Sequence, residues 1–201
     1  MAEQMIEHQS LPSLRYLRQF GLVFQERVAD ITIYVTGRNL ILPYFLTELA
    51  FLGIATSQGY ICIPEDVGKV TQDLVKGQLL FREDDIGKDI IDVVGERLRN
   101  INPEVQVKIM GLSDIDDFDY DVAVALPRNY YDKLTLPRHT RIIWGQLGKV
   151  SSYVGYEKIK TPRYKINILT PSLSAAAAAF IAQEILRIKR LIRPYTISKI
   201  Q

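Results

Sequence analysis

Cysteine and histidine are both scarce in this sequence of 201 residues, which has one cysteine, Cys62, and two histidines, His8 and His139. A single cysteine excludes an intrachain disulfide and a structural zinc site built on cysteine pairs, and it fits a reducing compartment. The histidines lie far apart in the sequence and accompany no nucleophile motif, so neither is assigned as a catalytic base.

An excess of one charge and a long hydrophobic run are also missing. The 25 basic and 23 acidic residues give a net charge of +2, which is too balanced to indicate binding to nucleic acid or to an anionic membrane. The apolar runs are shorter than the ~20 residues of a membrane span, and the first ten residues contain no apolar signal sequence. We therefore expect no nucleic-acid or membrane partner, and a cytoplasmic protein, or a nuclear one if the source has a nucleus.

The composition is that of a soluble globular protein, with 47% hydrophobic and 24% charged residues. A chain of this length can bury one core, so we expect a single domain covering residues 1–201.

Alternating helical and strand patterns begin near the N-terminus. Residues 13–28 show helical periodicity, residues 31–35 form a short apolar strand, and residues 40–52 form an apolar helix that ends before Gly53. A second strand over 59–63 completes a βαβ unit, which requires two parallel strands.

The alternation continues to the C-terminus. A helix is predicted over 89–100, strands over 105–110, 120–126 and 141–144, and a long final helix over 172–191. This order predicts an α/β fold: a Rossmann-like, doubly wound, mostly parallel sheet with flanking helices, an N-terminal helix and a long C-terminal helix.

Four segments carry a family resemblance. They read RYLRQFG at 15–21, LLFREDDIGK at 79–88, ERLRNINPEV at 96–105 and AAFIAQEIL at 178–186. Their order and spacing resemble the ThiF/MoeB/ubiquitin-activating-enzyme superfamily along nearly the whole chain. Active members use ATP and magnesium to adenylate the C-terminal glycine of a ubiquitin-like or sulfur-carrier protein.

The nucleotide-binding turn of that family is degenerate here. Where the family has a glycine-rich turn that lets phosphate approach the backbone, this chain keeps only Gly37. Side chains at Arg38, Asn39 and Leu40 are predicted to occupy the space of the phosphates, although Arg38 could itself attract an anion.

Four further positions of the family's nucleotide site have changed. By resemblance, the ribose-binding acid aligns with Ile63, an arginine with Gly77, a lysine with Ile90, and the magnesium-binding aspartate with Arg128. A cation repels a dication, so the change at Arg128 disfavours magnesium. We therefore expect that this chain alone binds no cofactor and does not adenylate.

The RYxRQ helix of the family is intact. In several relatives an arginine of this helix reaches the ATP of the other protomer; by position that residue is Arg18 here, supported by Arg15. The resemblance implies an inactive half, similar to the small subunit of the SUMO-activating enzyme. The simpler interpretation is that both arginines lie on the solvated face of an amphipathic helix.

Three functions remain open. The first is a non-catalytic subunit that donates Arg18 to an active ThiF-like partner, with ATP and magnesium in the partner's site and a ubiquitin-like or sulfur-carrier protein as the third component. The second is a homodimeric pseudoenzyme that binds proteins. The third is an enzyme whose nucleotide site is rebuilt from Arg38, Lys88 and Glu65.

Other chemistry-bearing groups have structural interpretations. Cys62 lies within a strand and is expected to be a buried thiol rather than a thioester nucleophile. The acids between Asp114 and Asp121 lack the spacing of an EF-hand and indicate a solvated loop. The basic residues from Arg187 onward suit a helix C-terminus.

Overall fold

The computed structural model describes residues 24–76, 79–129, 131–148, 152–158 and 170–191. The described strands form one six-stranded sheet in the order β3-β2-β1-β4-β5-β6, in which the first five are parallel and β6 is antiparallel to β5. The strand bounds are β1 Ile33–Gly37, β2 Ile61–Pro64, β3 Val107–Met110, β4 Val122–Leu126, β5 Ile142–Leu147 and β6 Ser152–Gly155.

Five α-helices accompany the sheet in the described ranges. They are α1 Gln25–Ala29, α2 Ile41–Leu52, α3 Gln72–Val75, α4 Ile90–Ile101 and α5 Thr170–Ile188, with short 3₁₀ turns at Glu65–Val67 and Glu83–Asp85. No helix of these ranges is both long and apolar enough to traverse a membrane. The α/β, doubly wound fold expected from the sequence is confirmed.

The predicted βαβ unit is present as β1, α2 and β2. Ile33 of β1 lies opposite Ile61 of β2 and, on its other side, opposite Val122 of β4. Helix α2 ends where Gly53 adopts a left-handed conformation with φ of 73°. A glycine takes that conformation at little cost, so it ends the helix after Leu52.

The two faces of the sheet bury different side chains because neighbouring residues in a strand point in opposite directions. On one face, Ile33, Val35 and Ile61 belong to the main core with the buried sides of α2, α4 and α5. On the other, Tyr34 and Cys62 belong to a smaller cluster that also contains Met110, Ile115, Tyr120 and Ala123.

Helix α5 packs closely against both α2 and the sheet. Its alanines at 177, 178 and 182 are buried, and small side chains allow close approach between elements. A Cβ placed on Gly145 of β5 would lie 2.8 Å from Ile181 Cδ1, so a larger residue here would require that side chain to shift.

Candidate functional site

A cavity of about 240 Å³ lies beyond the carboxyl ends of the central strands. Its lining comes from residues 36–38 at the end of β1, residues 66–68 after β2, and residues 128–129 and 132–135 after β4. The sheet is wound outward in both directions from β1 and β4, so this is the topological switch point where α/β proteins bind ligands.

Gly37 brings the backbone of β1 close to that of β4 at the edge of the cavity. Its φ is +88°, and a Cβ placed on it would lie 2.4 Å from the Leu126 carbonyl oxygen. Both the left-handed conformation and the close approach therefore require glycine. The next residue, Arg38, directs its side chain along the cavity wall, where Nη1 would lie 2.5 Å from a Cβ placed on Gly68.

Asn39 closes the turn between β1 and α2. Its side chain is fully buried, and Nδ2 donates to the carbonyl oxygens of Pro127 at 3.1 Å and Gly145 at 2.8 Å. Its Oδ1 accepts the N–H of Ile41 at 2.9 Å. Asn39 and Leu40, which were expected with Arg38 to occupy the space of the phosphates, are buried in the interior and do not line the cavity.

The start of α2 consequently has few amides to offer a ligand. The Ile41 N–H donates to Asn39 Oδ1, and the Leu42 N–H donates to the Asn39 carbonyl at 3.1 Å. The following residue, Pro43, has no N–H. Helix N-termini bind phosphate through free N–H groups, and at these three positions none is free.

Three cationic side chains line the cavity. Arg128 Nη2 lies 3.8 Å from Asp73 Oδ2, at the long end of an ion pair. Among the residues that the structure describes, neither Arg38 nor Lys133 has a carboxylate within 4.0 Å. Within the described part of the chain, the cavity therefore combines one weakly paired cation with two that have no acid partner.

The acids of the cavity are occupied by neighbouring donors. Asp132 accepts the Arg128 backbone N–H at 2.6 Å and Asn129 Nδ2 at 2.8 Å, and Asp66 Oδ2 accepts the Thr135 hydroxyl at 2.9 Å. These bonds fix the loop after β4, and the donors stabilise the negative charge of the two carboxylates. The described residues contain no group of three or more His, Cys, Asp or Glu side chains that could hold a metal ion.

The structure brings together only some of the predicted site residues. Gly37, Arg38 and Arg128 lie around the cavity. Ile63 and Ile90, which align with the family's acid and lysine, are buried in the main core and do not line the cavity. Three further predicted residues, Gly77, Arg15 and Arg18, lie outside the described residues.

The rebuilt nucleotide site, the third function considered from the sequence, is only partly assembled. Lys88 Nζ donates to Asp85 Oδ1 at 3.3 Å, and Glu65 accepts the Leu112 N–H at 3.4 Å. Neither residue is in the cavity lining, whereas Asp66 is. Of the three proposed residues, only Arg38 is at the cavity.

Asp132, Lys133 and Thr135 also line the cavity and were not predicted from the sequence. They belong to the loop after β4, and the Thr135 carbonyl accepts the Tyr34 hydroxyl at 3.0 Å, which holds this loop over the end of the sheet. The available signal was their position just after a buried strand at the switch point, where parallel strands present their loops to ligands.

Two other candidates have structural roles. Cys62 is fully buried, and burial raises the pKa of its thiol to about 12, so it is protonated and shielded from substrates. In the acidic segment, Asp121 accepts the Thr32 N–H and pairs with Lys189, while Asp116 pairs with Arg138 at 3.1 Å. These acids are therefore directed to separate partners.

Sequence comparison finds partial relatives. No protein-family model matches the chain. The ubiquitin-activating enzyme E1 1 of Candida albicans is 30% identical over 91 residues, which are 45% of this chain and 9% of that enzyme. The mouse ubiquitin-like modifier-activating enzyme 1 is 28% identical over 109 residues, or 52% of this chain and 10% of the enzyme. The chain thus spans about a tenth of these relatives.

Solved structures share the fold over most of the chain. Escherichia coli MccB in complex with MccA superimposes with a TM-score of 0.65 at 20% identity, covering 90% of this chain and 65% of MccB. MccB with ATP gives a TM-score of 0.62 at 19% identity and the same coverage. PaaA gives 0.60 at 16% identity, covering 85% of this chain and 59% of PaaA. The chain is thus similar in sequence to ubiquitin-activating enzymes over about half of its length, and it shares the fold of MccB over most of its length.

Proposed function

We propose that the chain is a non-catalytic partner in an ATP-dependent system that activates a ubiquitin-like or sulfur-carrier protein. The observation that carries this proposal is the closed turn between β1 and α2. Asn39 uses the Ile41 N–H and ties the turn to Pro127 and Gly145, so the helix start is arranged for stability rather than for phosphate.

The charges of the cavity support the loss of adenylation. Adenylation with magnesium ATP needs acids that hold the dication, together with backbone donors on the phosphates. Here Arg128 stands in the position that resembles the family's magnesium-binding aspartate, and both oxygens of the nearby Asp132 already accept hydrogen bonds. A magnesium nucleotide held in the manner of the active relatives does not fit these donors, so no catalytic step is assigned to this chain.

Similarity to activating enzymes supports an interaction with other proteins. The relatives in sequence are activating enzymes for ubiquitin and ubiquitin-like modifiers, and MccB was crystallised with ATP and with MccA. In our proposal this chain pairs with an active ThiF-like subunit, and Arg18, supported by Arg15, reaches the partner's ATP. A guanidinium suits that role because it binds phosphate oxygens with a rigid, permanently charged fork.

The first test uses the isolated chain. We expect no ATP–pyrophosphate exchange and no saturable binding of magnesium ATP at micromolar concentration in calorimetry. Micromolar ATP binding would contradict the proposal and favour the rebuilt nucleotide site.

The second test asks for the partner. The tagged chain is purified from its native host, the stoichiometric partner is identified by mass spectrometry, and the pair is reconstituted for pyrophosphate exchange. We expect Arg18→Ala to lower exchange at least about tenfold, because a charge-assisted contact to phosphate is lost. Arg99→Ala, on the exposed face of α4, is the matched control and should leave exchange unchanged. If the chain returns only with itself, the homodimeric pseudoenzyme becomes the better account.

A further inference from the structure

The cavity at the switch point is lined by more cationic than acidic side chains. Arg38, Arg128 and Lys133 line it, and only Arg128 has a described carboxylate near its side chain, at 3.8 Å. By contrast, the buried Arg97 forms an ion pair with Asp85 at 2.7 Å. Two carboxylates, Asp66 and Asp132, also line the cavity and already accept hydrogen bonds, so the cations outnumber the acids of the lining by one and this excess favours the entry of an anion.

The guanidinium of Arg38 is at the wall of the cavity. It lies over the backbone of Gly68, where a Cβ would approach Nη1 to 2.5 Å, and Gly68 has a φ of +94°. The residue is partly buried. A guanidinium is planar and permanently charged, so it can bind two oxygens of an oxyanion at once.

The size of the cavity limits its ligand. Its volume of about 240 Å³ is below the range of roughly 300–1,000 Å³ that is usual for pockets holding drug-sized ligands. Asn39 and Pro43 leave no free N–H at the first positions of α2 to extend a phosphate site along the helix start. A compact group therefore fits better than a nucleoside triphosphate.

We propose that this cavity binds a compact oxyanion, a phosphate or a carboxylate group, between Arg38 and the Arg128–Lys133 side of the cavity. The bound anion offsets the repulsion among the three cations and ties the turn after β1 to the loop after β4. Its binding depends on residues of this chain alone. It is independent of the proposed partner role, and either proposal can fail without the other.

The experiment is an isothermal titration of the full-length chain with sodium phosphate, with sodium acetate and with magnesium ATP, each at ionic strength held constant with chloride. We expect phosphate to bind with a dissociation constant below about 1 mM. Arg38→Met and Lys133→Met should each weaken binding by about tenfold or more, because each removes a charge-assisted contact. Arg38→Lys, which keeps the charge and loses the planar fork, should fall between the wild type and Arg38→Met.

The matched control is Arg99→Met, which removes one positive charge from the exposed face of α4 and should bind phosphate as the wild type does. Thermal unfolding of every variant without ligand checks that the fold is intact. Acetate binding as tight as phosphate would identify a carboxylate ligand, and selective phosphate binding a phosphorylated one. The proposal is overturned if the wild type shows no saturable binding at 10 mM, about ten times the expected constant. It is equally overturned if Arg99→Met loses as much affinity as Arg38→Met, or if magnesium ATP binds more tightly than phosphate.

Discussion

Two arginines of this molecule have opposite surroundings. Arg97 on α4 is buried, and its Nε and Nη2 donate to the two oxygens of Asp85 at 2.8 and 2.7 Å. Arg38 follows β1, lines the cavity, and has no acid within 4.0 Å among the described residues. The first arginine is an internal cross-link, while the second is an unpaired charge at a surface cavity.

The segments that resemble the family and the positions that differ from it have different places in this structure. Asp85 belongs to the LLFREDDIGK segment and Arg97 to the ERLRNINPEV segment, so the most family-like stretches supply a buried ion pair. Asp85 also accepts the Arg82 N–H at 3.0 Å, which fixes the loop that precedes α4. The altered positions Arg38 and Arg128 lie at the cavity instead. Ile63 and Ile90, which also differ from the family pattern, are buried in the main core, so only some of the differing positions are at the cavity.

Breaking the buried pair should have the largest effect. Arg97→Met keeps much of the side-chain volume and leaves the Asp85 carboxylate, which is fully buried, without its main partner. We expect the free energy of unfolding in urea to fall by about 3–5 kcal/mol. Arg99→Met, two residues along the same helix and exposed, should change it by less than about 0.5 kcal/mol. Equal losses for the two variants would show that the helix, not the ion pair, is responsible.

Removing the Asn39 side chain should have the next largest effect. Asn39→Ala leaves the Pro127 and Gly145 carbonyls and the Ile41 N–H without their partner in a buried turn. We expect a loss of about 2–4 kcal/mol in urea unfolding, because unpaired buried polar groups are costly. Asn100→Ala, on the exposed end of α4, serves as the control and should be nearly neutral. A loss below about 1 kcal/mol for Asn39→Ala would mean that water replaces these bonds.

Two glycines with nearly the same positive φ distinguish the cost of that φ from the cost of crowding. Gly37 has a φ of +88° and Gly87 a φ of +86°, but a Cβ would meet the Leu126 backbone at Gly37 and nothing within 4 Å at Gly87. Each alanine substitution incurs the cost of a left-handed conformation, about 1–2 kcal/mol. Gly37→Ala should cost a further 1–3 kcal/mol or so, because the β1–β4 contact must open. Chemical denaturation of both variants measures the difference, and equal losses would exclude crowding.

The buried pair should also make stability depend on acid pH. The Arg97 guanidinium, together with the Arg82 N–H and Lys88, holds the pKa of Asp85 well below its ordinary value of 3.8. A carboxyl with a lowered pKa in the folded state stabilises the fold above its unfolded pKa and loses that contribution as the pH falls below it. Between pH 4 and pH 2 we expect a slope of up to about 1.4 kcal/mol per pH unit from this group. Asp85→Asn should flatten this part of the profile, which urea unfolding at a series of pH values measures.

Much of the fold could be predicted from the sequence because its central elements are long apolar runs with clear ends. The helix predicted over 40–52 is observed as α2, and the strand predicted over 120–126 is observed as Val122–Leu126. Strand β6 was not predicted: Ser152–Gly155 has four partly buried residues and no apolar alternation. It is a strand because it pairs with β5, and a pairing partner cannot be read from a local pattern.

The site was less predictable because its chemistry depends on how loops are folded over the sheet. The position of Arg38 and Arg128 after their strands followed from the alternating pattern, which places both at the same edge. Lys133 and Asp132 reach that edge only because Tyr34 and Asp66 hold the Thr135 segment in place. These long-range bonds join residues about 70 to 100 positions apart, and no sequence window contains both partners.

We expect the smallest effect on the free energy of unfolding at Arg38. Arg38→Met removes a charge that has no acid partner among the described residues and that lies near two other cations, so no favourable ion pair is lost. In chloride buffer we expect the free energy of unfolding to stay within about 0.5 kcal/mol of the wild type, with any change toward greater stability. We expect Arg97→Met to destabilise the fold by several times this amount. Urea unfolding of the two Arg→Met variants side by side therefore compares a guanidinium that has an acid partner with one that has none among the described residues. If Arg38→Met were as destabilising as Arg97→Met, Arg38 would be a structural cross-link rather than a free cation, because only a side chain with strong contacts in the folded chain can lose that much on removal.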